Sequence, residues 1–105
     1  MAETRTKLRL CSTDEVDFDS AIRVEVENLV LAVFNIDGMY FVTDDQCTHG
    51  PGSLSEGDIS GHIVECDFHY GAFDIRTGAV AAPPCMIPIR TYQAIVENND
   101  VFIEV

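Results

Sequence analysis

Ile22-Arg-Val-Glu-Val-Glu-Asn-Leu-Val-Leu-Ala-Val-Phe-Asn-Ile-Asp-Gly-Met-Tyr-Phe-Val-Thr43 decides the fold class. Residues 22–27 alternate strictly between apolar and polar, so Ile22, Val24 and Val26 share the inward face of a strand. Residues 29–36 form a more continuous apolar run, the pattern of a central strand. Asp37-Gly38 separates that run from residues 39–43. Asp-Gly between two β-rich runs is a strong hairpin signal, because both turn positions need positive φ.

The same reading extends outward. Residues 7–11 predict a first strand. Ser12-Thr13-Asp14-Glu15 predicts a capped helical turn, with Ser12 accepting a backbone N–H and Glu15 three residues on. At the far end, residues 92–97 and 101–105 predict two strands joined by the turn Asn98-Asn99-Asp100. These outer segments are expected to build one antiparallel platform, residues 1–43 and 87–105. The middle, residues 44–86, differs in composition: most of the glycines and prolines and all three histidines lie there. It contains strand-like residues 62–65, 73–75 and 79–82, with a turn at Arg76-Thr77-Gly78. It is expected to form a smaller β subdomain inserted into the platform.

The 105 residues are the length of one domain, residues 1–105. The charge is strongly acidic: 18 Asp and Glu against 6 Lys and Arg, net −12. Such a surface repels nucleic-acid phosphates and anionic membranes, and attracts a basic partner. No apolar stretch approaches the roughly 18 residues of a membrane helix. Residues 1–10 lack the apolar core of a signal peptide, so a cytoplasmic location is expected, where thiols stay reduced. Four cysteines in that setting suggest metal binding or catalysis before disulfides.

The chemistry concentrates in Cys47-Thr48-His49 and Cys66-Asp67-Phe68-His69, with 16 residues between His49 and Cys66. Each pair offers a thiolate and an imidazole from a tight loop. Two soft sulfurs and two borderline nitrogens suit iron–sulfur or zinc, and do not suit calcium or magnesium. Zinc sites favour Cys-x2–4-Cys and His-x3–5-His spacings, which these pairs fit poorly. Turning loops also leave backbone N–H groups free to point at bridging sulfides. Cys11 and Cys85 read as buried thiols, and His62 as a surface or packed histidine. Gly50, Gly52, Gly71 and Gly78 read as turn residues.

Cys-x-His, 16 residues, then Cys-x2-His resembles the Rieske fingerprint. Asp45-Gln-Cys-Thr-His-Gly50 resembles that family's first cluster loop. Phe73-Asp-Ile-Arg-Thr-Gly78 followed by Pro83-Pro84 resembles its second loop and the proline loop that covers the cluster and limits water access. Within the superfamily the chain is most similar to the small ferredoxins of bacterial aromatic-ring-hydroxylating dioxygenase systems. The resemblance implies an all-β Rieske iron–sulfur domain, an antiparallel β-sandwich platform with an inserted cluster-binding subdomain. It implies one 2Fe–2S cluster, with Cys47 and Cys66 on one iron and His49 and His69 on the other. It implies a one-electron carrier, not an enzyme, between a flavin-containing NADH-dependent reductase and a terminal Rieske oxygenase. A monomer is expected.

The departures from related sequences bear on potential. Many such ferredoxins have Pro where this chain has Asp67, which puts a carboxylate beside the cluster. Cytochrome-complex Rieske proteins carry an inter-loop disulfide at the positions of Gly52 and Phe68, and hydroxyls at those of Gly71 and Phe73. All these changes point to the low end of the Rieske range, about −150 to +300 mV. The tip is expected to be apolar (His49, Gly50, Pro51, His69, Tyr70, Pro83, Pro84), ringed by Asp44, Asp45, Glu56, Asp58, Glu65 and Asp67. Three other functions compete. An oxygenase needs two more histidines and a carboxylate for its mononuclear iron, and His62 is the sole histidine to spare. A nitrite reductase small subunit of this type commonly lacks the ligands present here. A zinc-bound interaction module would be colourless.

Overall fold

The computed structural model describes residues 7–48, 52–67, 71–83 and 85–104. β2 (Ser20–Val26), β3 (Leu29–Ile36) and β4 (Met39–Asp44) form consecutive antiparallel hairpins. The turn between β3 and β4 is Asp37-Gly38, with φ +55° and +86°. Asn35 Oδ1 accepts the Gly38 N–H at 2.9 Å, and Asn35 Nδ2 donates to the Val16 carbonyl at 2.9 Å. The Asp-Gly signal thus becomes a two-residue hairpin whose backbone is held by a buried amide.

Every residue from Leu31 to Ile36 is buried. The reason is that β3 has a core on each face. Leu31 and Val33 pack with Val42, Val101 and Ile103, and Ile22, Val24 and Val26 lean on the same cluster. Ala32, Phe34 and Ile36 pack with Leu54, Val64, Phe73 and Ile75. β2, covered on one face, alternates; β3, covered on both, does not.

β1 (Lys7–Ser12), β11 (Asp100–Glu104) and β10 (Ile95–Glu97) form a second sheet in the order β1-β11-β10. A register shift between Arg9 and Cys11 lets the neighbours Leu10 and Cys11 both point inward. Ser12 and Glu15 make the expected capping box on the 3-10 turn Thr13–Glu15.

The expected strand over residues 92–97 is two strands. β9 (Thr91–Tyr92) pairs with β4, through Val42↔Tyr92 and Thr43↔Thr91. The chain then crosses at residues 93–94 and pairs as β10 with β11. Such a corner closes a sandwich by moving one segment between sheets. The outer segments therefore make the two sheets of the expected sandwich platform around one core. Asn98 and Asn99, with φ +52° and +66°, turn β10 into β11.

A third antiparallel sheet contains β5 (Asp58–Ser60), β6 (Ile63–Glu65), β7 (Ala72–Asp74) and β8 (Val80–Ala82), in that order. It packs Val64 and Phe73 against the second face of β3. β5 is only three residues in polar surroundings, too short for periodicity to reveal.

Candidate metal centre

Two loops rise from paired backbone. The first leaves β4 at Asp44, whose N–H donates to the Arg90 carbonyl at 3.0 Å. Gln46 and Ser53 then form an antiparallel bridge, and the Cys47 N–H donates to the Gly52 carbonyl at 2.9 Å. The second loop connects β6 to β7, and the Cys66 N–H donates to the Gly71 carbonyl at 2.6 Å. Each cysteine therefore opens a loop that closes on the glycine five residues later. Both cysteines are buried, and they share an apolar cluster with Cys85 and Ile89.

Asp45 braces the first loop. It is 4% exposed, and its carboxylate accepts the Ser53 hydroxyl at 2.5 Å and the Ser55 N–H at 2.9 Å. Arg23 Nε lies 3.8 Å from the same carboxylate. Asp45 is thus a buried acceptor and no part of an acidic ring. Asp44 is half-buried and accepts the Tyr92 hydroxyl at 2.7 Å. Burial, then the hydrogen bond to Asp44 and its charge, raises the Tyr92 pKa above its ordinary value. Glu56, Asp58, Glu65 and Asp67 are exposed as expected.

A third segment reaches the first loop. The Thr48 hydroxyl donates to the Ile87 carbonyl at 2.7 Å. Next to that contact, Met86 and Ile87 are 86% and 62% exposed. The sequence reading missed both, although an apolar pair between Cys85 and Pro88 is visible in the text. Pro83 is exposed. Cys11 and Cys85 are buried, and burial raises both thiol pKa values, Cys11 to about 11. His62 meets Phe41 edge-on at 5.9 Å, a packed histidine.

His49, Gly50, Pro51, Phe68, His69, Tyr70 and Pro84 lie outside the described residues. Among the described residues, no group of three or more His, Cys, Asp or Glu side chains gathers to hold a metal. The sulfurs of Cys47 and Cys66 meet, with Cα atoms 6.8 Å apart. Two loops of matched closure bring them to one point. Placing both on one iron needs that same convergence, with each sulfur as a thiolate. The donor chemistry therefore fits an iron–sulfur group, which needs soft sulfur ligands at one locus.

Residues 6–93 match the family of the Rieske [2Fe-2S] domain. The chain belongs to the Rieske [2Fe-2S] family. A Rieske domain carries one 2Fe–2S cluster, and this one is no exception. The chain is similar to the biphenyl dioxygenase ferredoxin subunit of Pseudomonas sp. (strain KKS102), with 44% identity over 100 residues, 94% of this chain and 92% of the relative. The solved Sphingomonas yanoikuyae B1 ferredoxin overlays with TM-score 0.91 at 48% identity, covering 95% of this Rieske chain and 99% of the other. A chain in the complex of reduced oxygenase and oxidized ferredoxin in carbazole 1,9a-dioxygenase overlays with TM-score 0.86 at 36% identity, covering 92% and 91%. A nitrite reductase (NADPH) small subunit overlays with TM-score 0.79 at 24% identity, covering 93% and 97%, a likeness of fold alone.

Proposed function

We propose that this Rieske protein is the ferredoxin component of an aromatic-ring-hydroxylating dioxygenase system, a one-electron carrier and not an enzyme. In this reading Cys47, His49, Cys66 and His69 hold the cluster. It takes electrons from a flavin-containing, NADH-dependent reductase and passes them to a terminal Rieske oxygenase in the cytoplasm. The observation that carries the reading is the convergence of the Cys47 and Cys66 sulfurs from two loops of matched closure. It occurs in a chain 44% identical to a dioxygenase ferredoxin subunit along almost its whole length. Among the described residues no helix is long and apolar enough to cross a membrane.

When bound, the cluster supplies a one-electron site. Two thiolates and two neutral imidazoles would balance two ferric ions and two sulfides to zero net charge, which eases reduction relative to four-thiolate ligation. The chain's own residues do the rest. Gly52 and Gly71 close the loops, Asp45 fixes the base of the first, and buried Phe73 offers no hydroxyl to a cluster sulfur. That absence supports a potential at the low end of the family range. Exposed Met86 and Ile87 beside Thr48 supply an apolar contact, and Pro83 on the same connecting segment is exposed too. Exposed Glu56, Asp58, Glu65 and Asp67 supply the acidic surround. Apolar contact within a charged rim suits rapid docking and release.

The test is an EPR spectrum of the dithionite-reduced holoprotein, with iron and sulfide content. A low average g and the iron of a [2Fe-2S] group are expected. Iron-free protein, or a Rieske signal that survives His49→Ala or His69→Ala, would overturn the assignment.

A further inference from the structure

Asp67 stands at the join of the two loops. It follows Cys66, and its Oδ1 accepts the Ser53 N–H at 3.0 Å while lying 3.9 Å from Cys66 Sγ. Ser53 belongs to the first loop, where it bridges Gln46. Its hydroxyl donates to buried Asp45, which in turn lies 3.8 Å from Arg23 on β2. A continuous relay therefore runs from the platform through Asp45 and Ser53 to the carboxylate beside Cys66. A backbone N–H has no rotamer to choose, so a carboxylate bound to it is held more firmly than one bound to a flexible side chain. Bonds of this charge-assisted kind are also stronger than neutral ones.

We propose that Asp67 is a positioning residue that clamps the second cysteine loop to the first through the Ser53 amide, and that its fixed charge lowers the cluster's affinity for an electron. The proposal rests on the cluster reading given under Proposed function. Geometry supplies both halves: one oxygen bridges the loops, and the same oxygen faces the sulfur. A like charge close to a centre that gains an electron disfavours the gain.

Asp67→Asn and Asp67→Ala separate the halves in the holoprotein. The asparagine keeps an oxygen for the Ser53 N–H and loses the charge; the alanine loses both. Midpoint potential is read by a redox titration followed by visible circular dichroism. Cluster retention is read as the half-time of absorbance bleaching in the presence of an iron chelator. For Asp67→Asn, the reduced-to-oxidised ratio at a fixed poise should rise about two- to tenfold, tenfold being 59 mV for one electron. Its bleaching should be slower than that of Asp67→Ala, because a neutral amide oxygen still accepts from the Ser53 N–H. Asp67→Ala should shift the potential the same way and bleach about tenfold faster, the effect of one lost charge-assisted bond. A potential unchanged in Asp67→Asn overturns the charge role, and slow bleaching in Asp67→Ala overturns the clamp. A parent protein without iron would overturn the cluster reading instead.

Discussion

Gly78 closes the turn after β7 under conditions no other residue type meets. Its φ is +80°. Its N–H donates to the Asp74 carbonyl at 2.7 Å, and its carbonyl accepts the Ile89 N–H at 2.9 Å. A Cβ added there would lie 2.1 Å from the Ile89 carbonyl oxygen and 3.0 Å from Thr91 Cγ2. The left-handed backbone costs an alanine about 1–2 kcal/mol. The clash is with backbone, so it is relieved only by moving Ile89. That sacrifices a hydrogen bond of about 1 kcal/mol. It also loosens a side chain packed in the cluster of Cys47, Cys66 and Cys85, at about 1–2 kcal/mol of burial. Gly78→Ala should therefore cost about 3–5 kcal/mol. Gly61 is the control: its φ is +60°, and nothing lies within 4 Å of an added Cβ. Gly61→Ala should carry the backbone term alone, about 1–2 kcal/mol. At about 4–8 °C per kcal/mol for a domain near this size, the two variants should melt about 10 °C or more apart. The assay is loss of visible and far-ultraviolet circular dichroism of the holoprotein at one scan rate, since cluster release makes the transition rate-dependent. Melting of Gly78→Ala within about 3 °C of Gly61→Ala would refute the reasoning.

Two other expectations are independent of that turn. Burial, then the Glu15 charge, pushes the Cys11 thiol up to about 11. The folded state thus holds the proton more tightly than an unfolded chain, whose thiol titrates near about 8.5. This stabilisation is complete below the unfolded value and is lost as pH rises toward the folded one. Urea midpoints should fall between those limits, and fall less in Cys11→Ala; identical slopes would count against the assignment. With a net charge of −12, reductase-to-ferredoxin electron transfer should slow as salt is added, and slow further in Glu56→Lys. Stopped-flow rates that stay flat from low to high ionic strength would remove steering from the picture.

The all-β class was legible because periodicity is local. Alternation in residues 22–27, the Asp37-Gly38 turn and the Ser12–Glu15 cap each depend on near neighbours, and each appears in the structure. The Cys-x-His and Cys-x2-His spacings were equally legible, since residue type and spacing are written in the chain. The Rieske family follows from them, and the match over residues 6–93 agrees.

Contacts between distant segments were not legible. Asp45 read as a surface charge because a carboxylate in a Gly-rich loop ordinarily is one; it is buried only because Ser53 and Ser55 fold back onto it. The segment after Thr91 read as one strand because its pattern does not mark the corner where it leaves β4 for β11. Periodicity records which face of a strand is covered, but not which sheet covers it. Tertiary structure also decided that Cys47 and Cys66 meet, and that the Asp67 carboxylate reaches the Ser53 amide. Sequence sets the donors and the local turns; the distance between two donors on separate loops depends on how the strands beneath them pack.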